Sequence, residues 1–392
     1  MIQVRQISAA QHLAFLHDWA TPGSTAEETV SFLQTPAWAK VKQEWRSESI
    51  GIVRDGGPGG PELLGVGLVL YRQVPKLKRY LAYLPEGPVL DWTSPDLPEI
   101  LDALRAHAKR RHAFALRIGP TLPHRIWRKD TIKDAIADES ITALSQAPAD
   151  VTNLHATRLA NQLRHLGWRP PKAAEGFAAG QPKFNFQLPL VNWTDGVRTR
   201  LSEDEVLAGM NQLWRRNIRK AAKKGVEVSR GGREDLAAFH KVYVETAGRD
   251  GFTPRPLDYF QTMWDALNGE DPDRMHLYLA HHEGDLVAST TWVHVERHTW
   301  YSYGASTSAK RDVRGSNAIQ WQMIRDSMAV DADVYDLRGI TEGLEADDPE
   351  LGLIKFKVGS GGEAVSYIGE WDLVIDPLLY KAFDWYMTRR SR

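Results

Sequence analysis

Two stretches of this chain run through one order of elements, and that order restricts the folds open to it. In the first, ESIGIVRD (48–55), ELLGVGLVLYRQV (62–74) and RYLAYLPEGPVL (79–90) read as strands, LPEILDALRAHAKRR (97–111) as an amphipathic helix and HAFALRIGP (112–120) as a further strand. In the second, the strand NFQLPL (185–190) leads into a basic helix over 205–225 and the strand GVEVSR (225–230). Helices over 233–251 and 255–268, strands within 275–306, a helix over 317–331 and a strand over 333–339 follow. In HHEGDLVA, Gly284 between two apolar runs signals a hairpin. A polar, proline-rich passage (121–183) separates the stretches and holds one helix, NLHATRLANQLRHLG (153–167), closed by Gly167. No clean sequence repeat accompanies the repeated order, which implies a duplicated α/β unit. At 392 residues and 42% hydrophobic, the chain exceeds what one core usually organises, so two domains are expected.

The bulk chemistry excludes several classes. A formal net charge of -1 argues against a general nucleic-acid coat, so any polyanion has to meet a local patch. Without cysteine there is no disulfide, thiolate nucleophile or Cys-ligated metal. The 13 histidines show no HExxH spacing, so no metal is expected, and no G-x-S-x-G elbow is present. The 14 tryptophans read as core rather than as base-stacking platforms. The N-terminus lacks a basic segment followed by a long apolar one, and the longest apolar run is about half a bilayer span. A soluble, cytoplasmic protein is expected, compatible with transient association at the inner face of a membrane.

The local patch is GMNQLWRRNIRKAAKKGVEVSR (209–230), where Arg215, Arg216, Arg219, Lys220, Lys223 and Lys224 stand without one acidic residue between Met210 and Lys224. On a single helix Met210, Leu213, Trp214, Ile218 and Ala221 share one side and the cations fan over the other. Solvated helix faces normally mix signs to gain i,i+4 pairs. Like charges repel, so this face favours an anionic partner.

Seven segments in order resemble the Fem (FemABX) family, the aminoacyltransferases that build peptidoglycan interpeptide bridges: FLQTPAWAKVK (32–42), YLPEGPVLD (83–91), RRNIRKAAKKGVEV (215–228), ETAGRDGFTPRPLDYF (245–260), YSYGAST (301–307), VYDLRGI (334–340) and GLIKFKVGSGG (352–362). The resemblance spans most of the chain and points to the compact, armless members. It implies an α/β fold of two tandem acetyltransferase-like (GNAT) domains with mixed sheets flanked by helices. The first is 1–183, completed by 367–392 as the C-terminal segment returns to it, and the second is 184–366. The turn that cradles coenzyme A phosphates in acetyltransferases is degenerate here: in AKRDVRGSNA, Asp312 and Asn317 flank Gly315 where a cradle has Gln or Arg and Gly or Ala. No cofactor is therefore expected. Three positions depart from the family pattern: Glu86 for Arg, Gly119 for Asp and Ser360 for Phe.

Family membership would make the chain a tRNA-dependent transferase of Gly, Ala or Ser to the stem-peptide amine of a peptidoglycan precursor. Its partners would be aminoacyl-tRNA and either UDP-MurNAc-peptide or lipid II. An aminoacyl ester is already activated, so positioning and oxyanion stabilisation suffice. Lys357 matches the family lysine beside the reacting ester, with Lys355 as the alternative; a lysine on a strand edge is otherwise a surface residue. Asp91 is the candidate to orient the incoming ammonium or take its proton, although Asp after an apolar strand is also a common turn residue. Lys42, Arg215 and Asn217 are expected to bind the precursor, and Tyr83, Tyr259 and Tyr303 to line the cleft or the core. Arg216, Lys220, Lys223 and Lys224 are expected to meet tRNA phosphates. Two other readings stay open: the same transfer to a specialised metabolite, and a non-catalytic module that binds precursor or tRNA.

Overall fold

The computed structural model describes residues 1–20, 29–57, 60–171 and 181–390. Residues 172–180, part of the proline-rich passage, lie outside the described residues. The chain divides into two units, 1–125 with 151–183 and 366–392, and 126–150 with 184–365. Residues 126–150, read from the sequence as part of the first domain, thus belong to the second unit. The reason is burial: Trp127, Ile132, Ala135, Leu144 and Ala147 pack into one core with Phe184, Phe186, Trp214 and Ile354. Residues 366–392 rejoin the first unit, and the fold class expected from the sequence is the one observed.

Both units show the same crossover. In the first, the strand Tyr80–Leu84 leads through the helix Leu97–Arg110 to Ala113–Ile118, and these two strands pair in parallel. In the second, His298–Ser306 leads through Gly315–Ala329 to Val334–Ile340, again in parallel. A parallel pair needs such a helical crossover, which explains why helix-like and strand-like runs alternate at these points.

The first sheet runs Ile2–Gln6, Arg46–Gly57, Gly60–Gln73, Tyr80–Leu84, Ala113–Ile118, Trp371–Val374 and Trp168–Arg169, with Val89–Leu90 paired to the third of these. Its helix Leu97–Arg110 buries Leu97, Ile100, Leu101, Leu104 and Ala108 at helical spacing. The second sheet runs Glu227–Gly231, Met275–His282, Asp285–Val295, His298–Ser306, Val334–Ile340 and Phe184–Pro189, followed by Glu363–Tyr367 and Pro123–Arg128. The expected hairpin joins its second and third strands, with Glu283 and Gly284 at positive φ (53° and 83°), as a two-residue turn of matching twist requires.

Inside the first unit a carboxylate is buried with a full set of donors. Glu48 accepts from the Tyr71 hydroxyl, faces His107 Nε2 at 2.6 Å and takes two hydrogen bonds from Arg111, at 3.2 and 2.7 Å. Burial alone would raise its pKa, but these donors outweigh it and hold the carboxyl down at about 2. A carboxylate depressed on folding contributes stability above its unfolded pKa, and that contribution fades as pH falls from about 4.5 towards 2. Glu48→Gln should therefore lower stability by about 3 kcal/mol at pH 7, because it strands buried donors. Thermal unfolding followed from pH 7 to pH 2 should show the gap to the natural chain closing in the acid range.

Candidate active site

The Lys357 segment is helical, not extended. IKFK alternates as a strand would, yet Leu351–Val358 forms a helix whose buried face carries Leu351, Ile354 and Val358. Lys357, at i+3 from Ile354, lies on that face and is 3% exposed, whereas Lys355 points to solvent. The expectation for an ordinary surface lysine is thereby overturned. The Lys357 ammonium donates to the Gly339 carbonyl at 2.7 Å and the Arg338 carbonyl at 3.3 Å. Both acceptors are neutral. Desolvation brings its pKa down from 10.5 to about 7, although the Asp336 and Glu350 charges oppose the fall and Arg338 assists it.

The cationic stretch is two helices rather than one. Ser202 caps Glu203–Gly209, and the chain then breaks at Met210 and restarts at Asn211, whose Oδ1 accepts from Trp214 N at 2.8 Å before Gln212–Lys223. The expected apolar face is kept except at Leu213. Trp214, Asn217 and Ala221 turn inward, and Leu213 is 49% exposed. Arg216, Arg219, Lys223 and Lys224 project into solvent, and Lys220 reaches Asp312 at 4.0 Å. The Asp312 carboxylate stands in the turn before the helix Gly315–Ala329, where an acetyltransferase would receive a phosphate.

Trp214 ties this helix to the lysine. Its indole Nε1 donates to the Phe356 carbonyl at 2.8 Å, its ring meets that of Phe356 at 4.9 Å, and Asn211 N donates to the Gly359 carbonyl at 3.0 Å. Gly359 permits the approach, since a Cβ there would stand 2.4 Å from the indole. Ser360, one of the departures, is fully buried and donates to the Lys357 carbonyl at 2.7 Å.

Arg215, expected to meet the precursor, also bonds the chain's own backbone. Its guanidinium donates to the carbonyls of Ala208 at 3.2 Å, Leu207 at 3.4 Å and Met210, closing the C-terminal end of the helix Glu203–Gly209. Lys129 donates to the Gly209 carbonyl beside it at 2.7 Å. Asn217 is buried on the inner face of its helix rather than displayed on the cationic one.

Tyr259 and Tyr303 do come together. The Tyr303 hydroxyl donates to that of Tyr259 at 3.3 Å, and the Arg255 guanidinium lies over the Tyr259 ring at 4.8 Å while bonding Tyr303. Both rings are partly exposed at the border of a cluster built from Phe239, Tyr243 and Phe260.

The remaining candidates belong to the first unit. The Lys42 ammonium lies 5.8 Å from the centre of the Trp38 ring and 4.0 Å from Glu44, just past the helix Pro36–Val41. Tyr83 donates to Glu370, and burial, reinforced by that carboxylate, pushes its pKa well above the usual value. Asp91 is exposed and accepts from Thr93 N at 2.8 Å and Thr93 Oγ1 at 2.6 Å, the geometry of a turn residue ahead of the next helix. Two of the departures meet: Gly119 N donates to the Gly87 carbonyl at 2.9 Å, and a Cβ at 119 would stand 3.2 Å from Glu86 N. Gln34 clamps the same turn, donating to the Pro85 carbonyl at 2.6 Å and accepting from Leu68 N at 2.9 Å.

A family model described as the FemAB family matches residues 24–285 and 276–387. The chain belongs to the FemAB family. Among curated relatives, UDP-N-acetylmuramoylpentapeptide-lysine N(6)-alanyltransferase of Weissella viridescens is 28% identical over 348 residues, covering 88% of this chain and 90% of the relative. Lipid II:glycine glycyltransferase of Staphylococcus aureus (strain MRSA252) is 24% identical over 429 residues, covering 92% of each chain. The crystal structure of FemX superposes with a TM-score of 0.77 at 22% identity, over 97% of this chain and all of the other, so the fold is shared along its length.

Within this FemAB fold, sequence reasoning missed Asp336, His298 and Gln187, which form a buried polar cluster in the second sheet beside the Lys357 anchor. Asp336 lies in VYDLRGI and gave a signal, a lone carboxylate in an apolar strand; His298 and Gln187 gave none. As Arg215 bonds helix-end carbonyls that are exposed or only half-buried, Arg215→Ala should cost about 0.5–1.5 kcal/mol through the lost hydrogen bonds. Denaturant unfolding measures this. Unchanged stability with weakened precursor binding would return Arg215 to the ligand-binding set.

Proposed function

We propose that this FemAB-family aminoacyltransferase moves Gly, Ala or Ser from aminoacyl-tRNA onto the stem-peptide amine of a peptidoglycan precursor, UDP-MurNAc-peptide or lipid II. One observation carries the reading: an ammonium buried without a carboxylate in ion-pair contact among the described residues, at the end of a helix tied to a cationic one. Burying such a charge costs stability, and a cost of that kind persists where chemistry uses it. The names of the relatives in Weissella viridescens and Staphylococcus aureus supply the substrate class.

In this mechanism the acceptor amine attacks the ester carbonyl carbon, forming the C–N bond. The C–O bond to the ribose then breaks, and the ribose oxygen leaves with the proton given up by the amine. Lys357 neutralises the developing charge on the carbonyl oxygen or the departing 3′-oxygen. The exposed cations Arg216, Lys223 and Lys224, with Lys220 beside them, hold tRNA phosphates and place the ester. No protein nucleophile and no cofactor enters.

Charged tRNA incubated with either muropeptide should give a stem extended by one of these amino acids, read by mass spectrometry. No product with any donor on either acceptor would count against the proposal. Lys357→Met should reduce turnover by about a hundredfold or more while precursor binding persists. Because the folded pKa is depressed, the natural chain should gain stability as pH rises from about 7 towards 10.5, and the Met variant should lack that gain. With the ammonium as the active form, turnover should decline as pH rises through about 7. Turning Arg216, Lys223 and Lys224 to Glu should raise KM for charged tRNA but not for the muropeptide, and should lower the slope of log affinity against log salt by about one for each phosphate that is no longer neutralised.

A further inference from the structure

The lysine is held by a backbone irregularity, and a carboxylate with no role in the steps above holds that irregularity. The strands Phe184–Pro189 and Val334–Ile340 pair antiparallel with Gln187 opposite Asp336 and Asn185 opposite Gly339, so two residues, Leu337 and Arg338, face Phe186 alone. This is a bulge. Arg338 takes φ +63°, the left-handed region that a non-glycine residue adopts only when something holds it there. The holding group is Asp336, whose Oδ1 accepts from Arg338 N at 2.5 Å. The carbonyls on the far side of this bend, those of Arg338 and Gly339, receive the Lys357 ammonium.

Asp336 is itself fixed from two neighbouring strands. Its Oδ2 accepts from Gln187 Nε2 at 3.1 Å and faces His298 Nε2 at 3.2 Å. Asp336 and His298 are 3% and 2% exposed. The His298 ring stacks on Trp300 at 4.2 Å, and its Nδ1 has no hydrogen-bond partner among the described residues. The proton is therefore placed on Nε2, donated to the carboxylate, because an N–H at Nδ1 would be buried and unsatisfied. Despite complete burial, His298 first and then Arg338, by its charge and its backbone N–H, keep the Asp336 pKa below the usual carboxylate value.

We propose that Asp336, oriented by His298 and Gln187, is the positioning residue of the site: it locks the Leu337–Arg338 bulge so that two carbonyls fix the Lys357 ammonium, and it supplies a buried negative charge beside that ammonium. This rests on the reading of Lys357 given above. The other charges that act on the ammonium are Glu350, which ends the loop before the lysine helix, and Arg338, whose effect opposes that of the two carboxylates.

Asp336→Asn and His298→Leu in the full chain test it, with His298→Gln as the conservative variant that restores a side-chain donor. Asp336→Asn should reduce kcat by about a hundredfold, the effect expected of a misplaced group, with KM for both substrates little changed. The inflection of kcat with pH should move to lower pH as the carboxylate charge is lost. The same shift should appear without turnover in an NMR titration of lysine labelled at Cε, with the Lys357 signal assigned by its loss in Lys357→Met. His298→Leu should reduce kcat and His298→Gln should recover most of it. If Asp336→Asn does not fold, the His298 pair decides. Natural kcat and an unmoved Lys357 titration in Asp336→Asn, or in His298→Leu where that pair decides, would overturn the inference. A moved titration together with full activity in Lys357→Met would keep the positioning role and remove the catalytic reading instead.

Discussion

An ammonium lodged among neutral acceptors is the constraint around which the second unit is arranged. Lys357 gives up its hydration for two consecutive peptide carbonyls, and consecutive carbonyls of a strand can converge on one point only where its regular pairing is broken. The break is the bulge in Val334–Ile340, so sheet irregularity and buried charge require each other. Straightening the strand would turn the acceptors away. The helix ends at Gly359, where the Trp214 indole fills the space a side chain would need.

That indole also gives the cationic helix a fixed relation to the lysine. A run of like charges tends to melt the helix that carries it, and here Trp214 anchors the run to the Phe356 carbonyl while Asn211 caps its start. Electrostatic display and structural anchorage sit on opposite faces of one short helix. Arg215, first in the run, contributes to the anchoring side through the carbonyls of Leu207, Ala208 and Met210.

Much of the fold was legible because its signals are local. Helix period, strand alternation and the Gly284 turn are written within a few residues of where they act, and both crossovers were readable from element order. The site was less so. The motif singled out Lys357, but its surroundings are set by residues 338 and 339, and no local pattern says that a lysine on an apolar face will find acceptors there. The helical wheel placed Met210, Trp214 and Ala221 rightly on the buried side and failed at Leu213, which is exposed; it also missed the break at Met210 and the restart at Asn211. Asp91 showed both a chemical and a turn reading in sequence, and its contacts with Thr93 are those of the turn. Residues 126–150 were misassigned since membership of a core is a long-range property.

The chain passes back and forth before either unit is whole, and this orders events during synthesis. In the first sheet, Trp371–Val374 lies between Ala113–Ile118 and Trp168–Arg169, pairing with both. Its partner ends at residue 118, which is 253 residues before residue 371. Closing so distant a pair is slow, and until it closes an edge of Ala113–Ile118 stands open to other chains. The second unit, although begun later, has all of its segments once residue 365 has left the ribosome. The portion made first is thus the last to be sealed.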